Sequence, residues 1–239
     1  MKKLFAALLL IVTAATVTAQ GFQNIKGNGN VTTDERSVGT FHKIHSSGSF
    51  DVYVTDGPTT SVKVEAEENL QQYIVAKVEN DALVVRGERG YNLRATKPIK
   101  IHVTATALKA IRNSGSGNIT TENRLKGSAD FEIAMSGSGN GSVDVEATDV
   151  EASISGSGNL TLKGKTNSLD GKISGSGNIK AKELQSGVTS IKISGSGNAE
   201  VVATEKLTSK IAGSGEIKYW GDAVVESKVS GSGHISKQR

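Results

Sequence analysis

Through the second half of the chain, apolar residues recur two apart, stop at a Ser-Gly-Ser-Gly tetrapeptide, and resume in the same phase. In one unit Ile173, Gly175, Gly177 and Ile179 fall on one side of an extended backbone, with Ser174, Ser176, Asn178 and Lys180 on the other. The phase is kept at Ile154, Gly156, Gly158 and Leu160, from Ile193 to Ala199, from Ile211 to Ile217 and from Val229 to Ile235. The tetrapeptide starts at Ser114, Ser136, Ser155, Ser174, Ser194 and Ser230, with a variant at Ala212, at intervals of 22, 19, 19, 20, 18 and 18 residues. A period this short marks stacked coils. It leaves no room for a helical crossover in each unit, and turn residues such as Lys163-Gly164 and Asn167-Ser168 divide the unit into short strands. The pattern predicts an all-β chain whose residues 114–239 form a right-handed parallel β-helix, a solenoid of 18–22-residue coils. Seven such coils make a rod of roughly 30–35 Å at the strand spacing.

Stacking at one strand spacing lines like residues into columns. One serine column holds Ser114, Ser136, Ser155, Ser174, Ser194, Ala212 and Ser230; a second holds Ser116, Ser138, Ser157, Ser176, Ser196, Ser214 and Ser232. The third column is Asn118, Asn140, Asn159, Asn178 and Asn198, ending in Glu216 and His234. Ladders of hydroxyls and amides contribute a few tenths to about 1 kcal/mol per neighbouring pair and fix the register. The candidate ligand surface is therefore the polar ladder Ser138, Ser157, Ser176, Ser196, Asn140, Asn159, Asn178 and Asn198. Fourteen of the 28 glycines sit in the tetrapeptides, although glycine ordinarily weakens a strand. Opposite walls too close for a side chain are the expected reason for the glycines, and a corner of positive φ is the expected reason for the asparagines. A flexible Gly/Ser linker does not fit, because Ile, Val and Leu stand at fixed offsets around each copy.

Residues 38–113 read as a less regular N-terminal β portion. Strands are expected over Phe41 to His45, Phe50 to Thr55, Val62 to Ala66, Ile74 to Glu79, Ala82 to Arg86 and Ile99 to Thr104. Asp56-Gly57-Pro58 and Asn80-Asp81 are turns, and Glu67 to Gln72 is a short helical turn. Ser47-Gly48-Ser49-Phe50-Asp51-Val52 aligns with Ser174 to Ile179, a degenerate unit that caps or begins the stack. Ahead of it, Met1 to Ala19 read as an export signal: Lys2 and Lys3, an apolar run from Leu4 to Val12, and Val17-Thr18-Ala19 at the cut. The apolar run is shorter than the roughly 20 residues of a membrane span. The expectation is a mature chain that starts at Gln20, has a linker over 20–37 and no integral membrane segment, and resides in the periplasm, at the outer membrane or outside the cell. With no cysteine, neither a disulfide nor acylation of the new terminus is open to it, so stability falls to packing and backbone ladders.

Charge narrows the partners. The formal +4 loses Lys2 and Lys3 with the signal; residues 20–113 then carry 12 basic and 10 acidic side chains, and 114–239 carry 14 of each. No basic stripe appears along the sequence, which argues against nucleic acid and anionic lipid. β-Helical enzymes need carboxylates that meet across adjacent coils; Asp144 with Glu146, and Asp149 with Glu151, instead read as outward positions of a solvated face. Calcium rolls need an Asp where this chain has neutral Asn. His42 and His45 point to opposite faces of a strand, and His102 and His234 lie far off, so neither a metal nor another cofactor is expected. Equivalent serines in every copy offer no singular nucleophile, and no helix and Lys follow the glycines as a phosphate cradle requires. Trp220 is the aromatic candidate. Exposed, it would stack on a sugar ring; buried, it would plug the last coils, and the need to cover a terminal coil favours the plug.

Phe41-His42-Lys43-Ile44, Ser47 to Val52, Leu83-Val84-Val85, Leu108 to Gly117 and the tetrapeptide series together resemble an exported bacterial family named for an autotransporter adhesin head "GIN" domain, a domain of unknown function. The resemblance spans about Val38 to Ile235. It implies a β-helical exported domain with an adhesive role and brings no catalytic residues. The functional expectation is a non-enzymatic adhesion or surface-binding module for a glycan or a cell-envelope protein. Its rivals are a structural envelope spacer and a carbohydrate-active enzyme; an ice-binding surface would use Thr methyls where this chain has Ser.

Overall fold

The computed structural model describes residues 22–126 and 128–239, so the expected export signal lies outside the described residues. They form a β-solenoid of about seven turns with coils about 19 residues long. Each regular coil lays down two walls that meet at the tetrapeptide. The first wall is built from Ala110–Gly115, Asp130–Gly137, Asp149–Gly156, the ends of the long strands Asn159–Gly175 and Asn178–Gly195, then Lys206–Gly213 and Val224–Gly231. The second wall starts at the Asn position, with Ile119–Thr121, Asn140–Glu146, the beginnings of the two long strands, Asn198–Val202, Glu216–Trp220 and His234–Lys237. Neighbours in both walls are parallel and in register: Ser136 faces Ser155, Ser155 faces Ser174, Ser174 faces Ser194, and Asn159 faces Asn178. The inward positions are the apolar ones of the sequence pattern, and Ile133, Leu160, Leu169, Ile179, Ile191 and Ile211 are buried.

The tetrapeptide glycines answer to the coil beneath them, not to an opposite wall. The first of each pair lies at positive φ, 118° at Gly175 and 125° at Gly195. From Gly48 to Gly175 its carbonyl accepts two N–H groups of the next coil, as Gly156 does from Ser176 at 2.9 Å and Gly177 at 3.0 Å. A Cβ on Gly158 would stand 2.1 Å from the carbonyl oxygen of Gly139. The asparagines do not make the corner, since the non-glycine residues at positive φ among those described are Asn80, Asp81 and Ala107. Asn80 and Asp81 instead form the tight hairpin turn between Ile74–Glu79 and Ala82–Gly87.

The stack begins before the regular repeat. Lys43–Gly48 and Phe50–Asp56 pair in parallel with Ala110–Gly115 and Ile119–Thr121, and Ser47 faces Ser114, so the degenerate unit is a coil. Beyond it lies one more parallel layer, Ala82–Gly87 and Ile99–Ala105. Antiparallel strands close that layer: Ile74–Glu79 covers the first, and Ser61–Glu67, flanked by Val31–Glu35, covers the second. The outermost strands are then the short Ile74–Glu79 and Val31–Glu35, and shortness blunts an edge. Residues 20–37, expected as a linker, thus contain two strands, Val31–Glu35 and Gln23–Lys26, the latter parallel to Tyr91–Arg94. Both are mostly exposed and held by backbone pairing, so they carry no apolar alternation to betray them.

Glu67 ties this cap together. It is 1% exposed, and its carboxylate accepts hydrogen bonds from Thr96 Oγ1 at 2.7 Å, Thr96 N–H at 2.8 Å and Gly29 N–H at 2.6 Å. These bonds, the Thr96 hydroxyl foremost, lower its pKa from 4.5 to about 2.

Gly158→Ala should lose at least about 2 kcal/mol, because its methyl meets backbone that cannot yield. Gly39→Ala, where a Cβ meets nothing within 4 Å, should stay within about 0.5 kcal/mol of the parent in urea unfolding. The folded pKa of Glu67 lies below its unfolded value, so its stabilisation is complete above about pH 4.5 and is lost as the pH falls toward 2. Amide protection factors around Gly29 and Thr96 should fall across that window, and Glu67→Gln should lower them already at neutral pH.

Candidate ligand-binding surface

The tetrapeptide corner separates two polar walls. On the second wall the Asn column is a continuous amide ladder. Asn118 Nδ2 donates to Asp51 Oδ1 at 2.8 Å, Asn140 to Asn118 at 3.3 Å, Asn159 to Asn140 at 3.0 Å, Asn178 to Asn159 at 2.8 Å and Asn198 to Asn178 at 2.9 Å. Glu216 ends it by donating its backbone N–H to Asn198 Oδ1 at 3.0 Å. Each amide commits its oxygen and one N–H to the coils beside it and keeps a second N–H free. Ser138, Ser157, Ser176 and Ser196 stand exposed on the corner itself; their backbone N–H groups donate to glycine carbonyls of the preceding coil, which leaves the hydroxyls to solvent.

The first wall carries a feature that the linear sequence conceals. A shallow groove of about 590 Å³ crosses the coils, bounded by Ser136, Ser155, Ser174 and Ser194 on one side and by Ser153, Lys172, Lys192 and Lys210 on the other. Lys172 faces Lys192, Lys192 faces Lys210, and Lys210 faces Lys228. In sequence they lie 20, 18 and 18 residues apart, so no basic stripe was visible. Stacking sets their backbones about 4.8 Å apart, where like charges side by side are destabilising. Glu151 at 2.6 Å and Asp170 at 3.8 Å balance Lys172, and the Glu151 carboxylate raises its pKa. Lys192, Lys210 and Lys228 enter no ion pair among the described residues.

Other charges are neutralised across coils. Arg112 pairs with Glu132 at 2.7 Å, Arg124 with Asp144 at 2.7 Å, and Lys163 with Glu183 at 3.2 Å. Asp144 and Glu146 therefore belong to a surface ion-pair ladder, with Arg124 between them in reach of both. His42 hydrogen-bonds Asp81 at 2.8 Å and thereby lowers the Asp81 pKa, while His102 stacks on Tyr53 with ring centroids 5.1 Å apart. Among the described residues no three His, Cys, Asp or Glu side chains gather as a metal site would require. Trp220 does not plug the end of the stack. Ile217 and Tyr219 take the inward phase of Glu216–Trp220, which leaves Trp220 half-buried on the outward side, opposite Val202.

A family model described as "putative auto-transporter adhesin, head GIN domain" matches residues 40–223. Three solved structures share the fold. A "putative lipid binding protein" from Parabacteroides distasonis is 30% identical with a TM-score of 0.75, over 91% of this chain and 100% of that one. A "putative adhesin" from Bacteroides fragilis is 25% identical with a TM-score of 0.83, over 90% and 100%. Another from Parabacteroides distasonis is 27% identical with a TM-score of 0.74, over 90% and 100%. No curated protein matches the chain. Since the match runs from the degenerate first coil almost to the last, the chain belongs to the auto-transporter adhesin head GIN domain family.

Proposed function

We propose that the chain is an exported, non-catalytic adhesion module that holds an extended anionic glycan across its coils, in the groove between the lysine and serine columns. The row Lys172, Lys192, Lys210 and Lys228 carries this reading: three of its four cations lack a counter-charge, and the backbone holds them at a fixed repeat. A polymer with regularly spaced carboxylates or sulfates relieves the repulsion within that row. The serine hydroxyls opposite supply donors and acceptors for sugar hydroxyls. Ser138, Ser157, Ser176 and Ser196, with the free amide N–H groups of Asn140, Asn159, Asn178 and Asn198, extend the polar surface around the corner. Each contact is weak and screened by salt, but equal contacts on one polymer add through effective concentration. The family description and the names of two neighbours support adhesion, and the Lys2 to Ala19 pattern supports export. The ion pairing of Asp144 and Glu146 supports a surface without catalysis.

Residues 20–239 are expected to bind immobilised dextran sulfate or polygalacturonate, with an affinity that falls as salt rises, and not to bind neutral dextran. Lys192→Glu combined with Lys210→Glu should weaken binding at least about tenfold and flatten its salt dependence, with the unfolding midpoint no lower than the parent's. Undiminished binding by that variant, or an equal preference for neutral dextran, would remove the lysine row from the mechanism.

A further inference from the structure

The two ends of the solenoid differ. At the start, antiparallel strands close the terminal parallel layer. At the other end, among the described residues, Val224–Gly231 pairs on one side only, with Lys206–Gly213. Val225 and Val229, in the inward phase, are 37% and 42% exposed, whereas Leu207 and Ile211 one coil earlier are fully buried. Val224 N–H donates back to Glu205 O at 3.0 Å. Backbone groups alternate in direction along a strand, so the N–H and C=O groups of Val225, Ser227 and Val229 point away from the stack. An edge of this kind is a template for another strand.

Read in either direction the edge gives valine, charge, serine, charge, valine, with the sign of the charges exchanged: Val225, Glu226, Ser227, Lys228, Val229. We propose that a second copy of this chain docks there, tail to tail, through antiparallel pairing of Val224–Gly231 with itself about a two-fold axis at Ser227. In that register Val225 faces the partner's Val229, and Glu226 faces the partner's Lys228, each twice by symmetry. The axis lies normal to the sheet and keeps inward faces on one side, so the valines cover the exposed end of the core while the charges meet outside. Every outward-pointing N–H and C=O of the three edge residues meets a group of the opposite kind.

The same residues disfavour other partners of this type. A parallel, in-register copy would set Lys228 on Lys228 and Glu226 on Glu226, like on like. Glu226 touches Lys206 at 3.0 Å, yet its side chain is 62% exposed, which leaves the carboxylate open to a second lysine. A two-fold contact closes as a dimer and does not propagate into a fibre.

Sedimentation equilibrium of residues 20–239 at low salt is expected to show a dimer. Glu226→Lys alone and Lys228→Glu alone each oppose like charges and should weaken it at least about tenfold. The double exchange Glu226→Lys with Lys228→Glu restores opposite charges and should restore the dimer. The chain has no cysteine, so Ser227→Cys introduces a single thiol on the axis, about 5.5 Å from its copy between Cα atoms and within disulfide reach. Oxidation should give a covalent dimer, whereas Ser190→Cys, on the outside of an inner coil, should give none. A parent that stays monomeric, single exchanges that leave the dimer intact, or a Ser227→Cys chain that crosslinks no faster than Ser190→Cys would each overturn the proposal. Thermal unfolding confirms that each variant keeps the fold, and no glycan enters the measurement, so its outcome is separate from that of the adhesion reading.

Discussion

Successive coils are locked together at the tetrapeptide corner, where one glycine carbonyl accepts two N–H groups from the coil above. No side chain fits between those backbones. The corner therefore acts as a ratchet: a slip by one residue would put a Cβ against a carbonyl and turn the apolar phase to solvent. Because the corner fixes where each wall begins, Ser faces Ser, Asn faces Asn and Lys faces Lys over many coils. The amide ladder and the lysine row are both consequences of that register. One is stabilising and the other is not, and the backbone is rigid enough to hold them together.

Much of this architecture was legible because it depends on period and phase, which a sequence displays directly. The alternation around Ile173 and Ile179 gave the inward face, and the match of Ser47 with Ser174 located the first coil outside the regular repeat. What escaped notice depends on contacts between coils. The lysines are spaced by drifting intervals of 20, 18 and 18 residues, and each stands among serines or apolar residues, so only the stack shows them to be neighbours. The strands Gln23–Lys26 and Val31–Glu35 lack an apolar face, and sequence patterns register apolar faces. For Trp220 the phase was legible too, because inward positions at Ile211, Gly213, Gly215 and Ile217 continue to Tyr219 and leave Trp220 outward; the expectation of a plug set that alternation aside. For the glycines the limiting contact is the coil beneath and not an opposite wall; it runs along the rod axis, where the sequence has no periodicity finer than the coil.

The ends of the stack show how the same backbone is finished in two ways. Near the start, the chain folds back through antiparallel strands and secures the cap with a carboxylate that its hydrogen bonds keep ionised well into acid. Gly27 leaves room for that carboxylate, since a Cβ there would lie 2.0 Å from it. At the far end the coil pattern simply continues, so Val225 and Val229 occupy core positions that no further layer of the described residues covers. A solenoid needs its terminal coils covered for solubility. Self-pairing meets that need with residues already in the repeat, because the serine and lysine positions recur and only Glu226 must oppose Lys228.

Rigidity is also what separates this surface from an ordinary basic patch. A flexible basic segment can fold itself onto many anions, but binding then costs the conformational entropy of every residue it orders, roughly 1–2 kcal/mol each. Here folding has already fixed the backbone, and a ligand need only order the lysine side chains, about 0.5–1.5 kcal/mol apiece. Those charges repeat at the coil spacing and cannot adjust to another. A polymer whose charges recur at a compatible interval gains contacts in proportion to its length, whereas a compact anion engages one or two lysines and gains little. In the adhesion proposed above, such a surface favours length and regularity in a polymer over any single chemical group.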